Sequence, residues 1–299
     1  MNSEQREAWQ FEAIRHVLTA LGTSLELRNA LVFKGALVLD RRLGTSRVSL
    51  DIDANLDVAF ASEHPDRMDQ RAFLEENIGR AISRYFELQD PVRYRLEKLR
   101  IDLKPKPQHP LGWDAFSITV SLDDCQHVNV RGLPNVTIDV AAPESLSGDS
   151  VAELDLGGIT VRAYTLVRIA GEKARAFLST LPAYRAKTKK PGEAVRVKDL
   201  YDLTRIIRVR PITDVPFWTI AGQEFQLACQ SRYVDCSGLG SFKEAWEETR
   251  ARFHDSKIVP KNCTFEDIET TVTAIAAFWH ERAVTPLGFP LPSGVLRPR

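Results

Sequence analysis

Ala30-Leu31-Val32-Phe33-Lys34-Gly35 and, shortly after it, Ser49-Leu50-Asp51-Ile52-Asp53 are the stretches that decide how this chain is read. The first is a short apolar run suited to a buried strand. Lys34-Gly35 turns it into a helix that carries Leu37, Val38, Leu39 and Leu43 and stops at Gly44. The second opens a run patterned for a strand through Ile52, Ala54, Leu56, Val58 and Phe60. Side chains two apart on a strand share a face, so Asp51 and Asp53 project together while Ile52 turns to the core. Two hard oxygen ligands on one solvent-facing surface suit Mg2+, which takes one or two protein carboxylates and completes its octahedron with water and substrate phosphate. The pattern points to metal-assisted phosphoryl chemistry. Taken alone, an Asp-x-Asp pair also describes an ordinary solvated strand face.

The 299 residues are 43% hydrophobic and 27% charged, the composition of a folded globular protein with room for one large core or two domains. Lys plus Arg balance Asp plus Glu at forty each, so overall charge gives no argument for nucleic acid, and a basic surface has to come from local clustering. Cys125, Cys229, Cys236 and Cys263 are widely spaced and lack zinc-ligand spacing, which reads as reduced thiols in a cytoplasmic protein. The first residues have no basic and apolar leader pattern, and no apolar run is long enough to span a bilayer, which argues against secretion and a membrane location.

Outward from the acidic strand, helical periodicity covers the region from Ser3 to about Leu21 and again from Asp66 to Leu88. Strand patterns follow at 92–103, 115–122 and 136–140, with a hairpin at Gly157-Gly158. From Thr165 the pattern is mainly helical, over 165–181, 198–207, 215–233, 241–254 and 264–283. The expected organisation is α+β: residues 1–164 form a mixed sheet with flanking helices, and residues 165–299 form a mainly helical domain.

Several further residues can carry chemistry. Gly35 sits where a strand enters a helix, so unpaired backbone N–H groups can meet a phosphate closely, and Lys34 in the same turn can add charge. Ser49 falls on the face of Asp51 and can donate to a phosphate oxygen or a metal-bound water. Asp139 interrupts an apolar strand, where a carboxylate needs either a metal or an ion-pair partner. Lys173 interrupts the apolar face of a helix, and Asp199 and Asp202, three apart on a later helix, can hold Lys173 or a substrate hydroxyl, or can simply be solvated. Arg185, Lys187, Lys189, Lys190, Arg196 and Lys198, continued by Arg205, Arg208 and Arg210, make a basic stretch that leans toward RNA, with a solvated loop as the alternative.

In order and approximate spacing, Phe33-Lys34-Gly35-Ala36, Ser49-Leu50-Asp51-Ile52-Asp53, Gly171-Glu172-Lys173 and Lys198-Asp199-Leu200-Tyr201-Asp202 resemble the AbiEii/AbiGii toxin nucleotidyltransferases, over roughly residues 10 to 210. The resemblance implies a polymerase-β-like nucleotidyltransferase fold and Mg2+-dependent transfer of a nucleotide from an NTP. For MenT-like members the acceptor is the 3′ end of tRNA, which stops translation, and a cognate antitoxin encoded nearby is the partner. It also implies metal ligation by Asp51 and Asp53, phosphate contacts from Ser49 and Gly35, neutralisation of the triphosphate by Lys173, and Asp199 completing the active site. Lys34 as a nucleotide contact and Asp139 as a third metal ligand are further assignments. Two departures stand out: Gly35-Ala36 replaces the usual Gly-Gly or Gly-Ser, leaving main-chain contact alone at that position, and the interval from Gly35 to Asp51 is slightly longer than in the wider fold. A transferase acting on a small-molecule or protein hydroxyl would share this catalytic half, and a non-catalytic binding protein would carry the same aspartates without metal.

Overall fold

The computed structural model describes residues 2–45, 50–126, 132–189 and 194–293. They fall into two compact units, Met1–Glu144 with Val151–Tyr164, and Ser145–Ser150 with Thr165–Arg299.

The first unit begins with α1 (Ser3–Thr23) and α2 (Leu25–Ala30), then β1 (Leu31–Lys34), α3 (Gly35–Leu43), β2 (Asp51–Leu56), α4 (Val58–Glu63) and α5 (Arg67–Glu87). It continues through β3 (Tyr94–Lys104), β4 (Ala115–Asp124), β5 (Val136–Ala141), β6 (Val151–Asp155) and β7 (Thr160–Tyr164). Among the described residues the strands make one seven-stranded sheet in the order β3-β4-β5-β2-β1-β7-β6. It is mixed: β2 runs parallel to β5 and β1 parallel to β7, and the other neighbours are antiparallel. The α+β expectation, a mixed sheet with flanking helices followed by a helical half, is met.

The two faces of this sheet differ in chemistry. Ile52, Ala54, Phe116, Ile118, Val120, Ile138 and Val140 lie on one face and are almost wholly buried. Trp9 of α1 donates from Nε1 to Asp124 Oδ2 (2.8 Å) and packs edge-on against Tyr94, which fixes α1 over this apolar side. Asp124 belongs to it because it alternates in phase with Phe116 and Ile118. The opposite face carries Asp51, Asp53, Ser117, Thr119, Thr137 and Asp139, so the side chains that can do chemistry all lie away from α1.

Local chemistry explains the boundaries. Asn2, rather than Ser3, caps α1 in a reciprocal box with Gln5. Gly44 ends α3 in the left-handed conformation, φ +65°. The Gly157-Gly158 turn, with φ of +87° and +97°, is held by Asp155 Oδ1, which accepts from both glycine N–H groups at 2.8 and 2.7 Å. One expectation fails. The strand pattern through Val58 and Phe60 ends at Leu56, because Asp57 accepts from the N–H groups of Ala59 and Phe60 and starts α4 there.

The second unit is helical: α6 (Leu166–Leu178), α7 (Pro182–Thr188), α8 (Val197–Val209), α9 (Val215–Arg232), α10 (Leu239–Phe242), α11 (Trp246–His254) and α12 (Phe265–Glu281). The expected helix 165–181 is α6 and ends at Leu178, α7 falls outside the expected helices, and the expected helix 241–254 is divided in two after Phe242. A Cβ on Gly171 would stand 2.5 Å from the backbone N of Phe225, so only glycine lets α6 and α9 approach this closely. Phe225 stacks on Trp279 at 4.6 Å, and Trp279 donates to the Trp218 carbonyl (3.1 Å), which joins α9 to α12. Arg168 on α6, fully buried, donates to Glu224 Oε2 on α9 (3.2 Å). Ser150 Oγ donates to the same oxygen (2.7 Å) and Ser147 Oγ to Glu224 Oε1, so segment 145–150 is tied to the helices through one buried carboxylate. Among the described residues no helix is long and apolar enough to cross a membrane.

Candidate active site

Gly35 sets the geometry of the sheet's polar face. Its φ is +79°, a conformation side chains other than glycine's rarely adopt. A second constraint acts at the same atom, since a Cβ there would collide with Asp53 Oδ2 and lie 2.7 and 2.8 Å from Asp53 Cβ and Cγ. The carboxylate of Asp53 therefore rests against the turn itself. The turn opens α3, whose N-cap, Lys34, makes no side-chain capping bond. A helix start beside a carboxylate that can share a cation is an arrangement suited to a phosphate.

The strand register completes the picture. Lys34 is opposite Asp53, Asp53 is beside Asp139, and Asp139 is opposite Ser117, so these four residues form one row across β1, β2, β5 and β4. Asp51 lies in the adjoining row with Thr137 and Thr119. Asp51, Asp53 and Asp139 are all half-exposed. No Lys or Arg among the described residues pairs with Asp139. Lys34 Nζ lies 5.9 Å from the centre of the Tyr164 ring, and Tyr164 in turn receives a hydrogen bond at its hydroxyl from Asn55 Nδ2 (2.9 Å). Asn55 and Tyr164 form a buried floor that sequence reading missed, although Asn55 stands two residues after Asp53 on the same strand face. Ser49 lies outside the described residues.

All three carboxylates offer hard oxygens, and no thiol or imidazole belongs to the row. Among the described residues no group of three or more His, Cys, Asp or Glu side chains would by itself hold a metal ion. Mg2+ asks for less, one or two carboxylates with substrate phosphates supplying the rest, and Asp51 with Asp53 meets that demand.

The helical unit holds the other predicted residues in a buried charge network. Lys173 Nζ on α6 contacts Asp199 Oδ1 at 2.9 Å and Asp202 Oδ2 at 2.7 Å, both on α8. Arg196 Nε donates to Asp199 Oδ2 (2.6 Å), and Arg205 Nη1 donates to Asp202 Oδ1 (3.3 Å). Asp199 and Asp202 are 0% and 1% exposed and Lys173 9%, so the solvated-face reading of the two aspartates is excluded. Burial works against the Lys173 charge, but Asp199 and Asp202 outweigh it and hold its pKa above the ordinary lysine value. For Asp199 burial pushes upward, and Lys173 and Arg196 overcome it, leaving the carboxyl below its usual range.

Part of the basic stretch is paired within the unit. Lys187 pairs with Asp235 (2.6 Å), Arg208 with Asp267 (3.4 Å) and Arg210 with Asp214 (3.1 Å), in addition to the Arg196 and Arg205 contacts. Lys190 lies outside the described residues.

Residues 17–270 match the family model for the nucleotidyl transferase AbiEii toxin of type IV toxin–antitoxin systems. A crystal structure of JHP933 from Helicobacter pylori shares the fold at a TM-score of 0.50 and 12% identity, over 94% of each chain. No curated protein matches the chain in sequence.

Proposed function

From its place in the AbiEii nucleotidyl transferase toxin family, to which this chain belongs, we propose that it transfers a nucleotide from an NTP to the 3′ acceptor end of tRNA and so blocks translation. The observation that carries this reading is the row Lys34, Asp53, Asp139 with Asp51 alongside, set against the Gly35 turn at the start of α3.

In the reaction, the acceptor hydroxyl oxygen forms a bond to the α-phosphorus, the bond from that phosphorus to the bridging oxygen breaks, pyrophosphate departs, and the hydroxyl proton passes to solvent. Asp51 and Asp53 would hold Mg2+, with Asp139 beside them as a third oxygen donor. The ion, when bound, supplies charge for the triphosphate and lowers the pKa of the attacking hydroxyl. Gly35 and the following N–H groups receive phosphate oxygens, and Lys34 adds a point charge next to Asp53. This chemistry asks the protein mainly for positioning and charge neutralisation. In the helical unit, Lys173 and Asp199 are proposed to complete the active site, Lys173 by neutralising charge on the triphosphate. The cognate antitoxin is the partner proposed for control, and the cytoplasm is the proposed location.

The test is to incubate the purified protein with total RNA, Mg2+ and each labelled NTP in turn and to locate the label on a denaturing gel. Label at tRNA length with one or more NTPs supports the reading. Label on protein or on a small molecule, with none on RNA, replaces it by transfer to another hydroxyl.

A further inference from the structure

Part of the charge at 185–210 is paired internally, and the polar face of the sheet offers an RNA acceptor a further surface. β3 is an edge strand. Lys98, Arg100 and Lys104 project from it on the side that bears Thr119, Thr137 and the aspartates, as the register Lys98↔Ser121, Arg100↔Thr119, Lys104↔Ala115 requires. Lys98, Arg100 and Lys104 are exposed, and the Arg100 side chain, paired with Asp102 at 2.9 Å, is still 62% accessible. Neighbouring positions on one strand face are roughly 6.8 Å apart, twice the rise per residue. Asp102 occupies the position between Arg100 and Lys104 on this face and pairs with Arg100, so the column holds three cations and one anion, and its net positive charge suits a chain of phosphates.

The hairpin beyond Lys104 is built rather than loose. Arg67 Nη1 donates to Asp114 Oδ1 (2.9 Å) and Nη2 to the Lys106 carbonyl (2.5 Å), while Asp114 Oδ1 also accepts from His109 N (3.0 Å). This clamp presents the exposed Lys106 at a fixed place and leaves it to solvent. From the basic column on β3, the polar column of Thr119 and Thr137 leads to Asp139 and Asp53 across three strand spacings, roughly 14 Å at about 4.8 Å each. A few nucleotides of extended strand cover that distance.

We propose that the face formed by β3, β4 and β5 is the docking track for the single-stranded 3′ end of the acceptor RNA. Its phosphodiesters lie along Lys98, Arg100, Lys104 and Lys106, and its terminal ribose reaches the aspartates. This rests on the proposed transfer to RNA and names the surface that reading lacks. A competing role for edge-strand lysines is to prevent edge-to-edge association of the sheet, and the test separates the two.

The full-length chain carrying Lys98→Ala, Lys104→Ala and Lys106→Ala is compared with wild type and with a control carrying Arg252→Ala, Lys257→Ala and Lys261→Ala, which removes equal charge from the exposed surface of the helical unit. Binding of a fluorescent unstructured RNA oligonucleotide is followed against salt concentration, with KM for RNA and for NTP measured in parallel and oligomeric state by light scattering. The hairpin variant is expected to lose about 2 from the slope of log affinity against log salt, at roughly 0.7 per phosphate contact. Its KM for RNA should rise at least tenfold with KM for NTP unchanged, and the control should match wild type. Unchanged RNA affinity with new self-association overturns the proposal in favour of edge protection, and an equal loss in the control overturns it in favour of nonspecific charge. In both cases NTP transfer by wild type leaves the proposed activity standing. Absence of any transfer to RNA by wild type overturns activity and track together.

Discussion

Replacing Lys173 by Met removes the central cation of the buried network while keeping most of its bulk. Asp199 and Asp202 then lose the ammonium that stands 2.9 and 2.7 Å away. Breaking a buried ion pair by removing one partner costs about 3–5 kcal/mol. Here Asp199 keeps Arg196 and Asp202 keeps Arg205, so the loss should fall at the low end, about 3 kcal/mol. At roughly 2–4 °C per kcal/mol for units of this size, the helical unit's Tm should fall by about 6–12 °C. The acid limb should move as well. The depressed Asp199 pKa contributes stability that is present above its unfolded value of about 3.9 and is lost as pH falls through the lower folded value. The raised Lys173 pKa contributes stability that is complete below its unfolded value of about 10.4 and is lost as pH rises through the folded one. Between about pH 5 and 9 the wild-type network should therefore give a flat profile. Without Lys173, burial is less opposed, the Asp199 pKa climbs, and instability begins at a higher pH. Thermal melts from pH 3 to 9 on wild type, Lys173→Met and the charge-conserving Lys173→Arg measure both effects. A Tm within 2 °C of wild type and an unmoved acid limb for Lys173→Met would refute the reasoning.

Three other substitutions probe separate features. Gly35→Ala forces a side chain into positive φ and against Asp53, so it should cost about 1–3 kcal/mol and raise KM for NTP at least tenfold, read by melts and steady-state kinetics. Asp139→Asn, at a half-exposed position with no cationic partner among the described residues, should change Tm by less than about 1 kcal/mol equivalent while raising the Mg2+ concentration for half-maximal transfer. An unchanged Mg2+ requirement removes Asp139 from the metal site. Glu224→Ala strands the fully buried Arg168 and the hydroxyls of Ser147 and Ser150, and urea unfolding should show a loss of about 3–5 kcal/mol.

Local patterns in the sequence reached far into the fold because they were written by short-range rules. The Lys34-Gly35 turn, the acidic strand after it and the in-phase Asp139 were legible from period-two alternation and the special freedom of glycine. Where two local rules competed, the reading went wrong. Val58 and Phe60 continue the alternation of β2, but Asp57 can satisfy the first N–H groups of a helix, and that bond ended the strand. The long-range consequences of charge were the least legible. Asp199 and Asp202 at i, i+3 allowed both a solvated face and a grip on Lys173, and only the packing of α6 on α8 decides between them. The same holds for the basic stretch, whose partners Asp235 and Asp267 come from distant segments. Neither pairing has a sequence-local signature.

Asp51, Asp53 and the Gly35 turn are proposed together to receive a nucleoside triphosphate with its cation. Calorimetric titration of the pure protein with each NTP, in the presence and absence of Mg2+, tests this without reference to any acceptor. Wild type should bind at least one NTP with heat that depends on Mg2+, and Asp51→Asn with Asp53→Asn should abolish the Mg2+-dependent part while leaving the melting curve in place. NTP binding that is indifferent to Mg2+ and to both substitutions would contradict the account.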